Sequence, residues 1–114
     1  MKKRIILPIY GASIYIVVSP NIYKERMKMA DIFGQPPVGN YDALHSYDEC
    51  GTFGLFFKSH KVNLTTIAHE VFHLTHGILS WSNANFDMEH QEQGALLNGY
   101  LMSWVVKETK KYRK

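Results

Sequence analysis

The chain has 114 residues, 46% of them hydrophobic and 20% charged, a globular composition that excludes a disordered tail or linker. That length supplies one domain, 1–114, and excludes a two-lobed enzyme. The formal net charge of +3 lies within what solubility alone asks for, so nucleic acid is a minor alternative to a peptide or protein partner.

Met1-Lys-Lys-Arg4 followed by Ile5-Ile6-Leu7 imitates the start of a signal peptide, but Pro8 and Tyr10-Gly11 interrupt the apolar run. The segment reads instead as a strand, Arg4 to Ile9, paired as a hairpin through Tyr10-Gly11-Ala12 with a second strand, Ser13 to Val18. The second strand has the composition of a central one, and its Ile14–Val18 core, the longest apolar stretch, is far short of the roughly 18 residues of a membrane span. Asn21 offers an N-cap for a helix over Ile22 to Phe33, with Ile22, Met29 and Phe33 on one face and Gly34 stopping it. Gly34-Gln-Pro-Pro-Val-Gly-Asn40 is a loop, because two prolines and two glycines forbid regular structure.

Ala43 to Tyr47 and Thr52 to Lys58 follow as strands joined by Asp48-Glu49-Cys50-Gly51, the second alternating Phe53, Leu55, Phe57 against Gly54, Phe56, Lys58. Asn63 or Thr65 caps a helix to about Leu79, with Leu64, Ile67, Ala68, Val71, Leu74 and Ile78 at helical spacing. A last helix, about Asp87 to Lys110, carries Leu97, Leu101, Trp104 and Val105 and runs into a charged terminus. The order predicts an α+β fold: a small antiparallel or mixed sheet, one helix before its second pair of strands and two after. Cys50 is the single cysteine, expected as a small buried residue; with no internal disulfide available, a cytoplasmic address is the expectation.

Inside the sixth predicted element lies His69-Glu70-Val71-Phe72-His73, an HExxH pattern for which six His and six Glu in 114 residues give about 0.016 chance occurrences. Histidines at i and i+4 on a helix stand about 40° apart around the axis and about 6 Å along it, so both imidazoles reach one Zn²⁺. Glu70, one step round from His69, falls beside the metal-bound water, where a general base belongs. A catalytic zinc takes a third protein ligand. His76 shares the histidine face, but three ligands from one helix would spread over about 10 Å of axis, so it is read as a rim residue. Asp87, Glu89, His90 and Glu92 open the last helix, and spacing favours Glu92 as the third ligand. His45, His60 and His90 have no spacing that demands a shared metal, and Tyr47, His76, His90 and Tyr100 are undecided candidates for stabilising an oxyanion.

His69-Glu70-x-x-His73 with Glu92 nineteen residues on resembles the gluzincin class of zinc metallopeptidases, in which a glutamate on a following helix completes the HExxH site. More narrowly, Thr66-Ile-Ala-His-Glu-Val-Phe-His73, Glu92-x-x-Ala95 and Gly99-Tyr100-Leu101 are similar to the minimal gluzincins and to small HExxH proteins of phages and gut bacteria. The resemblance implies a zincin-like core, zinc held by His69, His73 and Glu92, and peptide hydrolysis with Glu70 as the base. It also departs from the pattern: Leu96 stands where thermolysin-type gluzincins place an aspartate, leaving Glu89 or Asp87 to orient a ligand histidine. Ala95 and Gly99 are small enough to let the last helix approach the motif helix, and the strand Thr52 to Lys58 is expected to offer its edge to an extended substrate. The alternative is a binding module in which the same zinc only staples the fold.

Overall fold

A computed structural model describes residues 1–8, 10–82 and 91–113. The fold is α+β: β1 (Lys2–Leu7), β2 (Ala12–Ser19), α1 (Ile22–Met27), α2 (Ala30–Phe33), β3 (Ala43–Tyr47), β4 (Thr52–Lys58), α3 (Leu64–Trp81) and α4 (Gln91–Glu108), with a 3₁₀ turn at Lys110–Tyr112. The strands form one mixed sheet in the order β1-β2-β4-β3. β1 pairs antiparallel with β2 from Lys2 opposite Val17 to Leu7 opposite Ala12, two residues earlier than the composition suggests. Pro8 offers no N–H to extend the ladder, and Gly11, at φ 67°, turns the chain back and donates to the Leu7 carbonyl at 2.7 Å.

β2 and β4 pair parallel, Ser13 opposite Thr52 through Ser19 opposite Lys58, and are covered on both faces, which is why both read as near-continuous apolar runs. Ile14, Ile16, Val18, Phe53, Leu55 and Phe57 face the main core beneath α3 and α4. Val17 and Phe56 face the other way and pack with Ile22 and Met29 beneath α1 and α2. The parallel pairing corrects one expectation: β4 lies between β2 and β3, so the edge on that side of the sheet belongs to β3, whose one ladder among the described residues is the antiparallel one to β4.

The predicted helix Ile22 to Phe33 is two helices. The first ends at Met27, Met29 at φ −108° and ψ 19° begins the second, and the buried Arg26 guanidinium accounts for the break. It gathers the carbonyls of Phe33 (2.9 Å) and Gly34 (2.6 Å) and the hydroxyl of Ser46 (2.8 Å), which a straight helix would carry away from it. Cys50 is exposed on the β3–β4 turn, not buried, because Asp48 Oδ1 accepts the N–H groups of Cys50 and Thr52 and curls that turn outward from the core. Asp87, Glu89 and His90 lie outside the described residues. Among the described residues no helix is long and apolar enough to cross a membrane.

Candidate metal centre

Asn63 starts α3, its Oδ1 accepting the Thr66 N–H at 2.8 Å. Val62 before it and Ile67 in the first turn are buried in the same core, a hydrophobic staple that fixes the entry angle. Ile67, Val71, Leu74 and Ile78 press onto the sheet, which turns His69, His73 and His76 outward and leaves Glu70 on the border. Packing therefore decides which face carries the chemistry.

The Nε2 atoms of His69 and His73 are 3.3 Å apart. Two nitrogens bound to a tetrahedral ion at 2.0–2.1 Å stand about 3.3–3.4 Å from each other, so this pair has the separation of two zinc ligands. Glu70 is 7% exposed, with Oε1 3.9 Å from His69 Nε2, close to the pair without standing between its nitrogens. The donor set fits zinc at two positions: two aromatic nitrogens with a carboxylate beside them.

His45 joins this group from β3. Its Nδ1 is 3.1 Å from Glu70 Oε2, and its ring stacks on that of His73 with centroids 4.4 Å apart and planes 14° from parallel. Near-parallel rings aim their in-plane lone pairs side by side, so His45 is a wall and a hydrogen-bond partner for Glu70. Its spacing from the motif in the chain carries no sign of this. Alternation along β3 puts Ala43, His45 and Tyr47 on one face, but only the register that sets His45 opposite Leu55 turns that face toward α3.

The pKa of His73 is lowered from its ordinary 6.5 by desolvation and then by the imidazoles of His45, His69 and His76, against the raising pull of Glu70. At neutral pH this keeps the ring uncharged, the form that ligates a metal.

The structure does not bring Glu92 to this group. Gln93 reaches Tyr10 Oη at 3.4 Å, and the Trp81 ring lies 3.8 Å from where a Cβ on Gly11 would be, so the start of α4 and the end of α3 share the β1–β2 turn. Eight residues separate His73 from Trp81, about 12 Å along the helix, and Glu92 is exposed at that far end. Among the described residues, no three His, Cys, Asp or Glu side chains gather where one ion could hold them together. The small residue buried on α4 is Gly94, whereas Ala95 is exposed and a Cβ on Gly99 would meet nothing within 4 Å. Thr75 Oγ1 meets Asn98 Oδ1 at 2.9 Å, a polar contact between the two helices that hydrophobic periodicity does not announce. His76 packs on Phe72 at 4.5 Å, Tyr47 is exposed on β3, and Tyr100 lies on α4 in an apolar hollow with Leu7 and Tyr10. His60 lies in the β4–α3 connection, beside Asn63 and Lys111.

No family model, curated protein or solved structure matches the chain.

Proposed function

We propose that the protein is a zinc-dependent peptidase of gluzincin type with a zincin-like core. The observation that carries this reading is the 3.3 Å separation of His69 Nε2 and His73 Nε2 beside the buried carboxylate of Glu70. Zinc held there would polarise the scissile carbonyl and acidify a water molecule. Glu70 takes the proton of the attacking water and passes it to the leaving amine, while His45 holds its second oxygen. The free edge of β3 offers backbone N–H and C=O groups to an extended chain, which gives binding tolerant of sequence.

Glu92 is the third ligand on this reading, and it reaches the histidines only if the first turn of α4 moves along α3 when the metal is bound. Such a movement is a form of metal-coupled folding. The test is zinc content by elemental analysis, together with cleavage of an unstructured protein by wild type and Glu70→Gln at equal zinc occupancy. Retained zinc with cleavage lost in Glu70→Gln supports the peptidase. Cleavage unchanged by the substitution, or no zinc uptake, overturns it; zinc uptake without cleavage favours the zinc-stapled binding module.

A further inference from the structure

A cavity of about 580 Å³ opens on the outer face of α3 beyond the histidines, between the helix and the β3–β4 turn. Its walls are the rings of Tyr47, Phe53 and Trp81, and Asp48 and Glu49 stand at its lip. The walls are firmly built. Trp81 Nε1 donates to the Glu49 carbonyl at 3.3 Å, and the indole meets Phe53 edge to face at 6.3 Å. Gly51, at φ 87°, leaves room that a Cβ would close, since that Cβ would stand 2.5 Å from the indole. Gly77 gives the floor its width, because a Cβ there would come within 3.2 Å of Phe53.

The cavity is placed to meet a chain lying on β3. Side chains on one face of an extended chain repeat every 6.4–6.8 Å or so, and Tyr47 is the next residue after His45 on the face toward α3. A peptide with one residue over His45 therefore directs the side chain two positions away into this hollow. His76, one turn after His73 on α3, also borders it.

We propose that this cavity receives a lysine or arginine side chain of the extended substrate, a specificity that rests on the peptidase reading for its biological use. Asp48 is fixed as an acceptor, its Oδ1 taking the N–H groups of Cys50 and Thr52 at 2.9 and 2.8 Å. Neither Asp48 nor Glu49 forms an ion pair with a described lysine or arginine, although the chain as a whole carries an excess of positive charge. Aromatic walls below carboxylates with no described cationic partner match a side chain with an apolar stem and a cationic tip: the stem packs on Phe53 and Trp81, and the tip meets the lip. A glutamate side chain would face the same two carboxylates and be rejected.

The test needs neither metal nor turnover. In ¹⁵N-labelled protein, the Trp81 indole N–H resonance, assigned with Trp81→Phe, is followed while N-acetyl-arginine methylamide, its leucine counterpart or its glutamate counterpart is added. The arginine probe is expected to shift the resonance with a Kd on the order of millimolar, ahead of leucine, with glutamate silent. Asp48→Asn/Glu49→Gln keeps the turn acceptor and should weaken the arginine probe about two- to fivefold, the scale of a partly exposed ion pair. Equal response to leucine and arginine, or no response to any probe, overturns the proposal. Cleavage of a peptide library by zinc-loaded protein is scored separately. Cleavage with no basic preference and no arginine-induced shift removes the pocket assignment alone, whereas an arginine shift without cleavage removes the peptidase alone.

Discussion

His45 and Glu70, 25 residues apart, are joined by a 3.1 Å contact between Nδ1 and Oε2 that ties the edge strand to the motif helix. A carboxylate held at one oxygen presents the other in a fixed direction, here toward His69. His45→Ala should therefore lower kcat about 10- to 100-fold, the range for groups that orient a catalytic residue, with KM and zinc content little changed. His45→Gln, which keeps a donor on the strand, should recover part of the loss. Steady-state kinetics and elemental analysis check this; a change confined to KM would make His45 a substrate contact instead.

Glu92 sets a second expectation. If the first turn of α4 moves to the histidines on binding metal, zinc should change the backbone amide resonances of residues 91–94, and Glu92→Ala should abolish that change and weaken zinc at least tenfold. Glu89→Ala should do neither. Zinc affinity unaffected by Glu92→Ala would require a different third ligand.

The depressed pKa of His73 fixes the sign of a pH effect on the metal-free protein. The folded state binds fewer protons than the unfolded state between the ordinary value of 6.5 and the lower folded value. This contribution to stability is full above pH 6.5 and is lost as pH falls through the folded pKa. Thermal melts of EDTA-treated protein should show a lower Tm at pH 5.5 than at 7.5, with a smaller difference in His73→Gln. Parallel behaviour of the two proteins would show that the pH effect lies elsewhere.

The motif helix was legible because one short pattern carried both packing and chemistry: Ile67, Val71, Leu74 and Ile78 set the buried stripe, and His69 and His73 had to face away from it. Strand order was not legible. β2 and β4 are both apolar runs, and nothing local says that they pair parallel across 39 residues, Ser13 with Thr52, with β3 outside them. That long-range pairing moved the free edge from β4 to β3 and turned His45 from an isolated histidine into a neighbour of Glu70. The break after Met27 was hidden for a similar reason, since the acceptors of Arg26 at Phe33, Gly34 and Ser46 come together only in the folded chain.

Arg26 gives a stability prediction. It is 3% exposed, burial lowers its pKa, and its three acceptors are a hydroxyl and two carbonyls. Arg26→Met removes the charge while keeping much of the stem and leaves those acceptors unpaired, so it should destabilise the fold by about 2–4 kcal/mol in denaturant unfolding. Arg26→Lys should cost less because it keeps one or two of the hydrogen bonds. No loss in Arg26→Met would show that the neutral acceptors are satisfied by water.

Among the described residues β3 is bonded on one side only, so of the strands around the candidate site it is the one that can open without disturbing the β2–β4 pair. Its amide protons should exchange with solvent sooner than those of β4, and each opening would carry His45 away from Glu70 while α3 stays folded. Besides the ladder to β4, one restraint on that opening lies on the opposite side of the sheet, where Arg26 grips Ser46, the residue next to His45. The His45–Glu70 contact is thus steadied in part from beneath the strand, by a cation that never enters the site.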